Sequence, residues 1–274
     1  MAITKQAHSS PVLTSDAPIV PDTTIFSSWD EWSPRDYLAD YYRVVEPDEI
    51  ATIRFLVETA KRFPRPGPIL VFGTGPTLHH VFPLAPAASE LHLTDYLPRN
   101  LDQIRAWVGR RQPCHDWRPF VRYTLQCEGV DEPTETVLGR REALVRDRIT
   151  TLVTADAGHP DPLGPEHRAS YPVVVSCYCA DSATADKRVW RDYMTNIVSL
   201  LRPGGLFVTA ALRRALRYKV GSRYFPSANI DEHDLREFLD HALGEDVMVD
   251  VRIVSEHEAL GYTGIVLGSA VKRR

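Results

Sequence analysis

Apolar positions along the chain switch between a period of about 3.6 residues and short unbroken runs, and these switches divide it into elements. Residues 1–25 show neither pattern. Ser, Thr, Pro and Ala dominate there, a composition that cannot offset its own ordering entropy, so a disordered tail is expected. Residues 29–42 (WDEWSPRDYLADYY) are dense in aromatics, and Ser33-Pro34 followed by Asp36 reads as a cap, a proline at the first helical position and an acidic first turn. A second helix follows over residues 46–62, where Ile50, Ile53, Leu56, Val57 and Ala60 form one stripe that Pro64 stops.

From Pro68 the pattern changes to β–α alternation. The run ILVFGTG is a short apolar strand ending in glycines, with Pro76 placed at a helix start. Residues 91–95 read as a second strand, 99–110 as an amphipathic helix, 120–125 as a third strand and 134–148 as a charged helix. Residues 151–155 and 171–178 are two further strands, the latter apolar throughout, as in a parallel sheet buried on both faces. A helix over 187–201 ends at Arg202-Pro203-Gly204-Gly205, a strand occupies 206–212, and a last helix runs from Ile230-Asp231 to about Leu243. Residues 247–254 and 261–271 are strands joined without a helix, which requires them to be antiparallel. The expectation is a doubly wound α/β sheet of Rossmann-like type, mostly parallel, with a C-terminal antiparallel edge hairpin and an N-terminal helical lid. That topology favours a methyltransferase core over an all-parallel dinucleotide-binding domain. The domain is taken as residues 26–274, with 26–66 as the lid.

Composition narrows the partners. Apolar residues make up 43% and charged residues 25%, and no apolar run approaches the roughly 20 residues of a membrane span. A net charge of −4 and a pI near 6.2 give no basic excess for a phosphate backbone. No membrane or nucleic-acid partner is therefore expected. The four cysteines at 114, 127, 177 and 179 form no CxxC pair, and there is no secretory pattern, so the setting expected is reduced and cytoplasmic. Cys177 and Cys179, two apart on a strand, would point to one face as buried thiols.

In an open α/β sheet a ligand binds at the carboxyl ends of the strands, which here means Gly73-Thr74-Gly75-Pro76-Thr77 and Asp95-Tyr96. The glycines let the backbone approach a ligand, and a carboxylate 22 positions beyond Gly73 can accept both hydroxyls of an adenosine ribose. Pro76 and Leu78 break the GxGxxG pattern, removing one amide donor and one close-packing glycine. S-adenosylmethionine, which has no phosphate and a net positive charge, suits such a turn better than a dinucleotide does.

The segments SPRDYLADYY, FGTGPTLHHV, LTDYLPRNLDQIRAWV, HDWRPFVRY and SLLRPGG make residues 33–205 resemble the nicotinamide, phenylethanolamine, indolethylamine and thioether methyltransferase family. The resemblance implies S-adenosylmethionine as methyl donor, with S-adenosylhomocysteine as product. It places Tyr37 and Tyr42 over the cofactor, Gly73, Thr74, Gly75 and Thr77 along its methionine portion, and Asp95 on the ribose. Tyr96 and Asn100 stand on the adenine side, and Asp156 and Ala157 match the loop near the adenine amino group. Tyrosine rings over a sulfonium supply a cation–π attraction of about 0.5–2 kcal/mol. The family usually carries an acid at the position of Val71, so that contact with the methionine ammonium is replaced or lost here.

Methyl transfer from a sulfonium is an in-line displacement that depends on alignment and needs no covalent nucleophile. No GxSxG elbow, HExxH pair or phosphate-loop lysine is present. The pair His79-His80 reads as packing or cofactor lining rather than a metal site. The substrate wall is expected from Trp32 on the N-terminal helix, from Asp181-Ser182, from Ala210, Arg214 and Tyr218, and from the loop around Tyr262. Asp181 matches the family position at which a carboxylate faces an acceptor amine; with Tyr37 it is the catalytic candidate, and its alternative role is a helix cap. Ala210 and Ala211 stand where the family has a further acid. Arg213, Arg214 and Arg217 form either a solvated face or a contact for the acceptor. The expected reaction is N-methylation of a small amine or aromatic nitrogen compound by a monomeric enzyme. Carbon methylation of an electron-rich ring such as indole in secondary metabolism, a nicotinamide-dependent oxidoreductase and an inactive cofactor-binding protein are the alternatives.

Overall fold

A computed structural model describes residues 26–63 and 67–274, so the expected tail over 1–25 lies outside the described residues. Ser33 caps α1 (Pro34–Tyr41), its hydroxyl accepting from the Asp36 amide at 3.2 Å, and α2 (Pro47–Ala60) follows. Then come β1 (Pro68–Phe72), β2 (Glu90–Asp95), α3 (Pro98–Val108), α4 (Arg118–Cys127), α5 (Glu135–Arg148), β3 (Ile149–Thr154) and β4 (Tyr171–Cys177). The chain continues through α6 (Lys187–Ser199), β5 (Leu201–Leu212), β6 (Arg217–Val220), β7 (Arg223–Pro226), α7 (Glu232–Ala242), β8 (Gly244–Ile253) and β9 (Gly264–Lys272). No helix among the described residues is long and apolar enough to cross a membrane.

Seven strands form one sheet in the order β3-β2-β1-β4-β5-β9-β8. The first five run parallel, and β9 pairs antiparallel with both β5 and β8, which is the mixed topology expected. Every residue of β4 is buried, because helices cover both of its faces. Alternation along the strands divides the interior in two. Ile69, Val71, Val173 and Val175 join a core with α2 to α5, whereas Leu70, Phe72, Val174 and Phe207 join one with α6 and α7.

Three expectations are corrected, and one hairpin is added. Residues 120–125 belong to α4 and not to a strand: Phe120, Val121, Thr124 and Leu125 are buried at helical spacing, and Thr124 Oγ1 donates to the Phe120 carbonyl at 2.8 Å. A six-residue window rich in aromatic and β-branched residues satisfies either period, and packing against α2 and α5 decides it. The segment after Pro76 is a series of turns closing on the carbonyls of Leu78, Val81 and Leu84, because Pro83 and Pro86 supply no amide to a continuous ladder. The hairpin of β6 and β7 was not anticipated, although Gly221-Ser222 between RYKV and RYFP carries its signal. Finally, β4 ends at Cys177, and Tyr178 at φ 54° breaks the strand alternation between Cys177 and Cys179.

The Phe120 ring is fully buried between Tyr42 and Trp117. Phe120→Ala is expected to lower the unfolding free energy by about 3–5 kcal/mol. Urea titration followed by tryptophan fluorescence measures it, and a loss under about 1 kcal/mol would contradict this packing.

Candidate active site

The order of the parallel strands reverses between β1 and β4, and their carboxyl ends part to leave a cavity of about 380 Å³. Gly73 leaves β1 at φ 68°, where a Cβ would lie 2.1 Å from the Cys179 sulfur, so only glycine lets the ends of β1 and β4 approach this closely. The turn is then fixed from the next strand. Asp95 Oδ2 accepts from the Gly75 amide at 2.7 Å, and Oδ1 accepts from the Leu97 amide and from Asn100 Nδ2, each at 2.9 Å. Burial raises the Asp95 carboxyl above its ordinary range, against these three hydrogen bonds, which favour the ionised form. Inside the turn, Thr77 Oγ1 donates to the Thr74 carbonyl at 2.8 Å, and Thr74 Oγ1 lies 3.2 Å from His80 Nε2. Burial lowers His80 to about 4, which leaves the ring neutral.

The ends of β3 and β4 continue the wall. Asp156 Oδ1 accepts from the Gly158 amide at 2.7 Å, and Asn196 Nδ2 donates to the Ala157 carbonyl at 2.8 Å. Tyr96 stands at the mouth, 58% exposed. Over the cavity lies an aromatic lid made from two distant segments. Trp32 and Tyr37 have ring centroids 4.8 Å apart and Tyr37 and Tyr42 5.5 Å, while Trp29 stacks on Phe225 of β7 at 5.3 Å. Tyr41 donates to the Lys219 carbonyl at 2.8 Å, and Trp32 Nε1 donates to Asn100 Oδ1 at 3.1 Å. The second bond ties the lid to the residue that also holds Asp95.

Beyond the lid, Asp48 on α2, Tyr178 after β4 and Tyr262 before β9 close the cavity. Tyr262 donates to Asp48 Oδ2 at 2.9 Å, and Tyr178 and Thr52 hydroxyls lie 2.6 Å apart. The wall carries three carboxylates, of Asp48, Asp95 and Asp156, and among its described residues there is neither lysine nor arginine. Such a wall favours a cationic occupant.

The model of the NNMT/PNMT/TEMT family matches residues 23–272. The chain belongs to that family. An indolethylamine N-methyltransferase of Mus musculus is 26% identical over 219 residues, 77% of this chain and 81% of its own. A nicotinamide N-methyltransferase of Homo sapiens is 27% identical over 205 residues, 72% of this chain and 75% of its own. In fold, the chain is similar to an S-adenosylmethionine-dependent methyltransferase from Clostridium acetobutylicum, with a TM-score of 0.52 at 11% identity, covering 88% of this chain and 99% of that one. The protein is an S-adenosylmethionine-dependent methyltransferase by family and by fold. The site suits that cofactor: a glycine turn without GxGxxG amides, a buried carboxylate one strand away, tyrosine rings above and, among the described residues, no competing lysine or arginine.

Of the residues singled out in the sequence of this family member, Trp32, Tyr37, Tyr42, Gly73, Thr74, Gly75, Thr77, Asp95, Tyr96, Asn100, Asp156, Ala157, Tyr218 and Tyr262 share this one wall. Asp181, Ala210 and Arg214 stand behind it. Asp181 is 2% exposed, and its Oδ2 accepts from the Leu212 amide at 2.9 Å and from Ser182 Oγ at 3.1 Å, pinning the end of β5. It caps no helix, since Asp186 holds that place on α6. Arg214 turns to Asp231 at 3.5 Å and Arg213 to Glu232 at 2.7 Å, where the N-terminus of α7 gathers its acids. Cys177 and Cys179 are free thiols, and burial pushes Cys177 up to about 12, so it is not a nucleophile. Among the described residues no group of His, Cys, Asp and Glu could hold a metal ion. Sequence reasoning missed Asp48, Tyr41 and Tyr178, whereas His80 lines the cavity. Asp48 hides among the acids of a helical first turn, and only its burial distinguishes it.

Burial raises the Asp181 carboxyl from 3.8 to about 6, partly countered by the Leu212 and Ser182 hydrogen bonds. The folded state therefore binds the proton before the unfolded chain does, and stability is gained as pH falls through 6 toward 4 and lost as it rises. Relative to Asp181→Asn, the native protein is expected to gain on the order of 2–3 kcal/mol between about pH 7 and pH 4. Urea unfolding at both pH values tests this; a pH-independent difference would place Asp181 in a more polar setting.

Proposed function

We propose that this protein transfers the methyl group of S-adenosylmethionine to the nitrogen of a small amine or nitrogen-containing aromatic molecule. The observation that carries it is the acid-lined cavity at the strand ends, without lysine or arginine among its described residues and roofed by tyrosines, in a member of this family. Relatives at about a quarter identity act on indolethylamine, nicotinamide and phenylethanolamine, as their names record.

In this reading Gly73, Thr74, Gly75 and Thr77 line the methionine portion of the cofactor, and Asp95 holds its ribose by accepting a hydroxyl. Tyr96, Asn100, Asp156 and Ala157 surround its adenine, and Tyr37 and Tyr42 cover it. Bound there, the cofactor supplies a methyl group activated by a sulfonium. The chain's own part is to exclude water, hold the acceptor in line and accommodate charge, with Trp32, Tyr218 and Tyr262 as the acceptor wall. Asp181 acts from behind that wall by holding the Ser182 hydroxyl and the Leu212 amide, both of residues that line it. Ala210 and Arg214 shape the same strand end from outside. We also take the enzyme to be monomeric and cytoplasmic, with neither nucleic acid nor membrane as partner, and residues 26–274 to be its functional unit.

Incubation with a labelled methyl donor and an amine and azaheterocycle library, read by product mass, is expected to give methylated nitrogen products. No transfer to any member would count against the reading. Asp95→Ala is expected to weaken S-adenosylhomocysteine binding by about 1–3 kcal/mol, since the ribose hydroxyls lose a charged acceptor. Unchanged affinity by calorimetry would remove Asp95 from the ribose.

A further inference from the structure

Asp48 is an acid in the cavity wall that the expected site did not include. It is 4% exposed, at the first turn of α2, and it is held by side chains from the opposite end of the chain. Tyr262 donates its one hydrogen to Asp48 Oδ2 at 2.9 Å. The hydrogen in the 2.6 Å contact between Tyr262 and His257 Nδ1 therefore comes from the imidazole, an assignment that follows from the network. His257 Nε2 faces Asp48 Oδ1 across 3.4 Å. Among the described residues Asp48 Oδ1 has no hydrogen-bond partner, so this buried cluster has room for one more donor.

The surroundings state what kind of donor fits. Burial and the neighbouring Asp48 charge hold Glu49 well above the usual carboxylate range. The rings of Tyr37, Tyr41, Tyr178 and Tyr262 share the cavity wall with Asp48, and among the described residues no lysine or arginine does. A buried carboxylate with one unbonded oxygen inside an aromatic enclosure is the chemistry that recognises an ammonium group.

We propose that Asp48, positioned by Tyr262 and His257, receives a cationic acceptor amine and takes its proton, so that the substrates are basic alkylamines and not neutral azaheterocycles. The proposal rests on the methyltransferase reading of the same cavity. An alkylamine with a pKa near ~10 arrives protonated and cannot attack carbon in that form. Its N–H bond breaks with the proton going to Asp48 and the electron pair remaining on nitrogen. That pair bonds to the methyl carbon while the carbon–sulfur pair stays on sulfur. The product leaves as an ammonium, and Asp48 returns its proton to water. Tyr262 and His257 are positioning residues.

The test measures binding to protein saturated with S-adenosylhomocysteine, using 2-phenylethylamine, tryptamine and the alcohols of the same skeletons, with pyridine as the neutral azaheterocycle. At least one amine is expected to bind the native protein about tenfold or more tighter than its alcohol, the worth of one charged hydrogen bond. Asp48→Asn should erase that preference and leave S-adenosylhomocysteine affinity within about twofold, and Tyr262→Phe should reduce the preference by roughly threefold or more. Equal binding of amines and alcohols by the native protein, a preference that survives Asp48→Asn, or methylation of pyridine without any amine would overturn the assignment. If Asp48→Asn no longer binds S-adenosylhomocysteine, Tyr262→Phe decides, and an unchanged preference there overturns it. A native protein that does not bind S-adenosylhomocysteine overturns the methyltransferase site itself, and a result of that kind is separate from any result on Asp48.

Discussion

The hydrogen bond from the Gly75 amide to the Asp95 carboxylate is the contact on which the site depends. It joins the turn after β1 to the end of β2, and the other oxygen of the same carboxylate orders the start of α3 and the Asn100 amide. Asn100 in turn receives the Trp32 indole, so a single buried anion sets the glycine turn, the strand ends and the seat of the lid. An ionised carboxylate can accept three such bonds and still face a ligand hydroxyl, because it has about four lone-pair positions. An asparagine, its neutral isostere, would turn one of the two accepting oxygens into a donor group.

Much of this was legible in the sequence, for physical reasons. The parallel core was readable because strands buried on both faces are apolar throughout, as in residues 171–177, while their helices show a stripe. The glycine turn and Asp95 stand at fixed places relative to strand ends, and so did most of the wall. What failed was where pattern and packing separate. Phe120 to Leu125 satisfied two periods at once, and only contact with neighbouring helices chose between them. The hairpin of β6 and β7 was hidden by its short strands. Asp48 looked like an ordinary first-turn acid, since sequence spacing alone cannot show that residues 257 and 262 return to cover it.

The distribution of charge is selective and not merely acidic. The chain holds nearly as many basic as acidic residues, 32 against 36, yet its arginines near the cavity are drawn away to the N-terminus of α7. Arg213 holds Glu232 down to about 2, and Arg214 turns to Asp231, so the cations behind β5 are neutralised locally. Removing positive charge from the wall leaves the carboxylates of Asp48, Asp95 and Asp156 to set its potential. Tyrosines serve the same end, because each ring offers a negative face without a formal charge.

The lid has its own consequence for how the molecule comes into being. Trp29, Trp32 and Tyr41 are among the first described residues of the chain, yet they rest on Tyr218, Lys219 and Phe225, made some 180 residues later. A nascent chain can pair β1 with β2 and β4 while its aromatic strip has nothing to lie against. The strip stays without its seat until the hairpin has emerged, and these contacts are among the longest in sequence that the fold must close. Ligand competence is thus a property of the finished polypeptide, acquired after the sheet that appears to carry it is largely built.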